Sequence, residues 1–137
     1  MVYLVLYKGK GKIGNAITRW WTGSPYSHCE LVMDGVCYSA SFMDGGVRAK
    51  EINLASGNWE MPIPLPWADR RRVLWYFEQT KGRKYDWLGI FGAQLFNRRR
   101  QDPMRFFCSE WCGAAITLPS AEIYNPATLG KLCEFML

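Results

Sequence analysis

Two short segments of the sequence carry side chains that are able to do nucleophilic chemistry. Residues 106–116 read FFCSEWCGAAI, which places Cys108, Ser109 and Glu110 together at the expected start of a helix. His28, the single histidine, lies far upstream in YSHCELVMDG. A cysteine thiolate is a strong nucleophile, and a neighbouring imidazole is a base that activates it. Any histidine-dependent reaction of this chain must therefore use His28.

The position of Cys108 in its helix bears on its reactivity. If the helix begins after Phe107, Cys108 lies in the first turn, where the helix dipole and free backbone N–H groups stabilise a thiolate. The same N–H groups would hold the oxyanion of an acyl-transfer intermediate, which makes Ser109 and Glu110 candidates for the same site. Cys112 lies one turn deeper and is expected in the core. Because cysteines are often buried, Cys108 also fits a purely structural role.

His28 begins the first of two runs of residues that are joined by Asp34-Gly35. A two-residue Asp-Gly loop predicts a type I′ hairpin turn. The expected pairs are Met33 with Val36, Val32 with Cys37, Leu31 with Tyr38, Glu30 with Ser39, Cys29 with Ala40, and His28 with Ser41. Alternation then predicts an apolar, core-side face made of Cys29, Leu31, Met33, Val36, Tyr38 and Ala40. The opposite face carries one mainly polar set: His28, Glu30, Val32, Cys37, Ser39 and Ser41. Such a face is either solvated, as is normal in antiparallel sheets, or the place of a base and its orienting partner.

Zinc binding is the alternative use of thiols and imidazole. His28 and Cys29 are neighbours on a strand and point to opposite faces, so they cannot both ligate one ion. Cys108 and Cys112 are able to share a helical face, but two thiolates alone are a weak ligand set. We therefore expect no metal site and no cofactor.

The remaining pattern predicts strands in the first half and helices in the second. Further strands are expected over 2–7, 45–54 and 58–65, the last as an edge strand or a loop because of its prolines. Helices are expected over 11–21, 67–82, 85–96, from 108 and over 126–133, with Asp86 capping the third. No repeat or linker interrupts the chain, so the prediction is one α+β domain spanning 1–137.

The composition limits the classes of protein to which this chain can belong. The 137 residues are 49% hydrophobic and 15% aromatic, enough for one core. Five cysteines, an odd number without a CxxC pair, favour reduced thiols over a disulfide framework. The first residues lack the features of a signal peptide, and no run approaches the ~20 apolar residues of a membrane span. These features predict a cytoplasmic protein without a transmembrane segment.

Basic residues exceed acidic ones, and the net charge is +5. Two arginine triplets, Arg70–Arg72 and Arg98–Arg100, supply six of the 17 Lys and Arg residues. Such clusters attract phosphates or an anionic surface, although solvated helix faces and a loop are their more usual explanation.

The order of the motifs SHCEL, YSAS, GRKYDWLG and FCSEWC resembles the circularly permuted NlpC/P60 (papain-like) superfamily, with its YiiX-like branch and small phage-encoded relatives. The histidine strand precedes the cysteine helix, which is the permuted order. The resemblance covers roughly Tyr3 to Leu129. It implies a small antiparallel sheet or half-barrel packed against the nucleophile helix.

The resemblance also implies roles for individual residues. Cys108 matches the nucleophile and His28 the base. The third polar residue of the family, often a glutamate in a Y-E-A pattern, falls on Ser39, and a serine cannot stabilise an imidazolium as a carboxylate does. Glu30 is expected on the same face, so either residue is a candidate to orient His28. Tyr85 matches a family tyrosine near the nucleophile, an oxyanion or substrate donor.

The function implied by the resemblance is that of a thiol hydrolase or acyltransferase. Its substrates would be peptide, isopeptide, peptidoglycan or lipid acyl bonds. Trp21 and Tyr26 flank His28 in sequence and, with Ser41, are candidate substrate contacts, although core and loop packing explain them equally well. Two other readings remain: a binding module with a papain-like shell and little catalysis, and a basic nucleic-acid-binding protein.

Overall fold

The computed structural model describes residues 1–8, 26–41, 44–82 and 103–137. Within these ranges five strands form one antiparallel sheet: β1 (Val2–Tyr7), β2 (His28–Met33), β3 (Val36–Ser41), β4 (Gly46–Glu51) and β5 (Ile63–Leu65), in the spatial order β4-β3-β2-β1-β5. Three α-helices follow: α1 (Arg70–Thr80), α2 (Pro103–Ala115) and α3 (Pro126–Phe135), with a 3-10 turn over Ala121–Ile123. The predicted α+β order is confirmed. The helices expected over 11–21 and 85–96 lie outside the described residues.

The Asp34-Gly35 turn forms as predicted. Both residues have positive φ, 49° at Asp34 and 78° at Gly35, as a type I′ turn requires. The three pairs nearest the turn have the expected register, from Met33↔Val36 to Leu31↔Tyr38. Local turn chemistry therefore sets the alignment of β2 and β3.

The pairing of β2 with β3 stops earlier than predicted. No ladder pair between these two described strands extends beyond Leu31↔Tyr38, so the three expected pairs nearer His28 are wrong. The hydroxyl of Ser39 donates to the carbonyl oxygen of Cys29 at 2.8 Å, so a side chain meets the backbone where the ladder ends. On its other side β2 stays paired with β1 as far as Tyr7↔His28. β1 thus holds the end of β2 that carries His28.

The two faces of the sheet are both covered. The helices pack on one face over the main core, which includes Cys29, Leu31, Met33 and Ala40. On the other face Val5, Val32 and Cys37 form a smaller cluster with Ile52, Leu54 and Trp59. The predicted alternation of apolar residues is confirmed, but the second face is buried rather than solvated.

The helix boundaries follow local signals, with one correction. Asp69 caps α1 by accepting a hydrogen bond from the Arg71 backbone N–H at 2.8 Å, and Asn125 caps α3. α2, however, begins at Pro103 and not after Phe107. Proline is favoured at the first helical position, because its missing N–H is not needed there. Cys108 is therefore in the second turn of α2.

Trp111 joins α2 to α1. Its side chain is buried, its ring packs against Tyr76 and Phe77, and its indole N–H donates to the Thr80 hydroxyl at 2.9 Å. Because α1 and α2 meet through this side chain, Trp111 stabilises the helix that carries Cys108.

Trp111→Phe is expected to lower the free energy of unfolding by about 1–2 kcal/mol, through the lost hydrogen bond and the smaller ring. Urea unfolding followed by circular dichroism measures the change. Trp75→Phe is the matched control, since Trp75 is 53% exposed and the change there should stay within about 0.5 kcal/mol. Equal effects of the two substitutions would contradict this role of Trp111.

Candidate active site

The fold brings Cys108 and His28 together. α2 packs across β2 and β3, and the Cys108 side chain forms a hydrogen bond with the His28 side chain. Cys108 is fully buried, whereas the His28 side chain keeps 21% of its surface exposed. The pair predicted from two distant segments is thus adjacent, and its imidazole is the part that reaches the surface.

Glu30 holds the other side of the imidazole. Its Oε1 lies 2.6 Å from Nε2 of His28, and the carboxylate is completely buried. Ser39, the other candidate to orient His28, donates instead to the carbonyl oxygen of Cys29. Of the two alternatives left open by the sequence, the structure places Glu30 against the histidine.

Arg48 completes the polar network, and none of the sequence motifs predicted it. Its guanidinium donates to both carboxylate oxygens of Glu30, at 2.7 and 2.5 Å, and to Asp44 at 2.7 Å. The register of β3 and β4 aligns Arg48 with Ser39, and from there its guanidinium reaches Glu30. A second Asp-Gly pair, Asp44-Gly45, precedes β4, but as a two-residue turn it would pair Ser41 with Arg48, so it does not predict the observed register.

The electrostatics of the network favour charged forms. Burial opposes the imidazolium, but the neighbouring Cys108 and Glu30 outweigh it and raise the pKa of His28 to about 10. Burial likewise opposes the Glu30 carboxylate, yet the hydrogen bonds from Arg48, together with His28, hold the pKa of Glu30 below its ordinary value. Glu30 is therefore an anion between two cations.

The Cys108 thiolate is stabilised by its neighbours and not by the start of the helix. From the fifth residue of a helix onward, a backbone N–H bonds to the carbonyl four residues earlier, so the N–H of Cys108 is used within α2. The expected contribution of free first-turn N–H groups is wrong for this reason. Burial raises the pKa of the Cys108 thiol, but hydrogen bonds from the Cys29 side chain, the charge of His28 and the backbone of Cys29 outweigh it and hold this pKa well below its ordinary value.

Two further cysteine positions adjoin the pair. The Cys29 thiol forms hydrogen bonds with the side chains of Cys108 and Cys112, and burial is the main cause that raises its pKa well above the ordinary value. Sγ of Cys112 lies 3.9 Å from the Cys29 carbonyl oxygen and 3.9 Å from the Ser39 hydroxyl. Cys112 is buried in the main core, as predicted.

Ser109 and Glu110 do not share the position of Cys108. Ser109 is buried, and its hydroxyl donates to the backbone carbonyl of Tyr124 at 2.5 Å, so it joins α2 to the segment after the 3-10 turn. Glu110 is half-buried and lies two residues from Cys108, a spacing that points to another side of a helix.

Of the other candidate substrate contacts, Tyr26 and Ser41 are among the residues that the structure describes. Tyr26 precedes β2, packs against the main core and donates its hydroxyl to Glu60 at 3.3 Å. Ser41 is buried at the end of β3, opposite Gly46. Tyr85 and Trp21, together with Asp86, lie outside the described residues.

The first arginine triplet makes contacts within the chain. Arg70 pairs with Asp34, and the Arg72 guanidinium lies 4.7 Å from the ring centroid of Trp75. The second triplet, Arg98–Arg100, lies outside the described residues. In the part of the chain that the structure describes, no group of three or more His, Cys, Asp or Glu residues is arranged to hold a metal ion, and no helix is long and apolar enough to cross a membrane.

No protein-family model, curated protein or solved structure matches this chain.

Proposed function

We propose that this chain is a thiol hydrolase or acyltransferase of the permuted papain-like (NlpC/P60) type. Cys108 is the nucleophile, His28 the base and Glu30 the residue that orients the base. The observation that carries the proposal is the hydrogen-bonded chain from Cys108 through His28 to the buried Glu30. A nucleophile, a base and an orienting carboxylate in contact form the arrangement that activates an enzyme nucleophile.

The proposed reaction proceeds in two steps. The Cys108 thiolate attacks the carbonyl carbon of an amide or ester, and the imidazolium of His28 gives its proton to the leaving amine or alkoxide. A thioester remains on Cys108. His28 then takes a proton from water or another acceptor as that group attacks the thioester, and the thiolate leaves. Because Glu30 contacts Nε2, proton exchange with Cys108 uses Nδ1.

The burial of the pair favours an approach from the imidazole side. Cys108 is fully buried and His28 is partly exposed, so the carbonyl group reaches the sulfur past the edge of the ring. The acyl donors implied by the resemblance remain peptide, isopeptide, peptidoglycan and lipid acyl bonds.

The proposal is tested with p-nitrophenyl acetate, an activated ester that does not require the natural substrate. We expect a burst of p-nitrophenol close to one equivalent per chain, with the acetyl group on Cys108 by mass spectrometry. Cys108→Ala should abolish the burst, and Cys112→Ala, the matched control one turn away, should retain it. A burst that persists in Cys108→Ala, or acetyl groups found only on lysines, would reject the mechanism. Fast alkylation of Cys108 without any burst would favour the binding module.

A further inference from the structure

Three buried thiols meet where α2 crosses β2. Cys29 contributes its side chain from β2, and Cys108 and Cys112 contribute theirs from successive turns of α2. All three are fully buried, and the Cys29 thiol forms hydrogen bonds with both of the others. Cys37, by contrast, lies in the cluster on the opposite face of the sheet. Cys29 is therefore a second thiol in direct contact with the proposed nucleophile.

The contact pairs two thiols of opposite character. Cys108 is the thiolate, because His28 and Cys29 stabilise the anion. Cys29 remains a protonated thiol that donates its hydrogen bond. Thiolates react with peroxides much faster than thiols do, so an oxidant would attack Cys108 first.

We propose that Cys29 is a resolving thiol for Cys108, so that a peroxide converts the two residues into a reversible disulfide. The inference rests on the proposed function only in treating Cys108 as an activated thiolate. The disulfide blocks the nucleophile and protects it from irreversible oxidation.

The reaction balances with hydrogen peroxide as the oxidant. The Cys108 thiolate attacks one peroxide oxygen, the O–O bond breaks, and the leaving hydroxide takes the proton of the His28 imidazolium to form water. Cys108 is then a sulfenic acid. The Cys29 sulfur attacks the Cys108 sulfur, the S–O bond breaks, and the released hydroxide leaves as water with the Cys29 proton. Two sulfur atoms are oxidised and one peroxide is reduced to two water molecules.

Helix geometry favours Cys29 over Cys112 as the partner. Cys108 and Cys112 are four residues apart in α2, where Cβ atoms are separated by about 5–6 Å. A disulfide needs a Cβ separation of about 3.5–4.5 Å, so a bond between these two would distort the helix. Cys29 belongs to a different element, and its side chain already meets Cys108 across the interface.

The experiment treats the reduced, folded chain with hydrogen peroxide, blocks remaining thiols and maps peptides without reduction. We expect a Cys29–Cys108 cross-linked peptide, with Cys108 alkylation reduced about tenfold or more and restored by dithiothreitol. Cys108 recovered as a sulfinic acid without a cross-link would overturn the proposal, as would a cross-link that excludes Cys29.

Two variants assign the roles. In Cys29→Ala, peroxide should oxidise Cys108 to the sulfinic acid, which dithiothreitol does not reverse. In Cys112→Ala the cross-link between Cys29 and Cys108 should still form. If Cys29→Ala does not fold, the wild-type peptide map decides alone. Alkylation before peroxide separates the two proposals: fast labelling of Cys108 without a later cross-link rejects only the disulfide, and slow labelling rejects the activated thiol and the disulfide with it.

Discussion

His28→Ala is expected to slow the alkylation of Cys108 by iodoacetamide about tenfold at pH 6 and about 100-fold at pH 5. In the wild type, His28 and Cys29 keep Cys108 a thiolate, so its rate should be nearly independent of pH in this range. Without the imidazolium, the pKa of Cys108 should return toward the ordinary ~8.5, and the thiolate fraction then falls tenfold for each pH unit. The greater nucleophilicity of a more basic thiolate offsets part of this loss.

Mass spectrometry of each cysteine peptide measures the rates within one sample. Cys37 and Cys133 serve as internal controls, because both are buried and burial is the main cause that raises their pKa, to about 11 and about 12. Their rates should be unchanged by the substitution. A wild-type rate at Cys108 that declines tenfold per unit below pH 8, with or without His28, would exclude an activated pair.

Glu30→Gln is expected to lower the free energy of unfolding at pH 7 by about 3–5 kcal/mol, the usual loss when one member of a buried ion pair is removed. The Glu30 side chain has no exposed surface and accepts hydrogen bonds from Arg48 and His28. Glutamine keeps the shape but removes the charge and turns an amide N–H₂ group toward a donor. Arg48, only 14% exposed, is then left with Asp44 as its anionic partner in the network.

Urea unfolding of a double variant separates lost charge pairing from lost packing. In Glu30→Gln/Arg48→Met the buried cation is removed as well, so part of the lost stability should return. Arg48→Met alone gives the reference loss of stability in the wild type. If adding Arg48→Met to Glu30→Gln lowers the free energy of unfolding by the same amount, the two residues do not act as a pair.

The pH dependence of this loss follows from the direction of the pKa shift. The folded-state pKa of Glu30 lies below its ordinary 4.5, so its contribution is present above pH 4.5 and is lost as the pH falls through the folded value. The difference between wild type and Glu30→Gln should therefore narrow below about pH 4. For His28, whose pKa is raised from 6.5 to about 10, the stabilising contribution is complete below 6.5 and is lost as the pH rises through about 10.

Local chemistry was enough to predict most of the described elements. Asp34-Gly35 determined the turn and the register next to it, since few sequences tolerate positive φ at two successive positions. The period-2 pattern identified the apolar face of β2 and β3. Proline at 64 indicated an edge strand or a loop, and β5 is the edge of the sheet, where a missing N–H interrupts no further ladder. These features depend on residues close together in the chain.

The predicted start of α2 after Phe107 is wrong, although the signal for the observed start is also local. A proline at the first helical position, here Pro103, marks the start of a helix. The consequence is chemical, because it moves Cys108 away from the free N–H groups. Its thiolate then depends on contacts from another element.

Those contacts were decided by the tertiary structure. The sequence identified Cys108 and His28 as candidate catalytic residues, but only the packing of α2 across β2 makes them neighbours. The choice of Glu30 over Ser39 depends on where the β2–β3 ladder ends, and Arg48 enters only through the pairing of β4 with β3. Residue types and short-range periodicity specify turns, faces and caps. A buried charge network depends instead on which distant strands become adjacent, because its ions are stable only when their partners are buried with them.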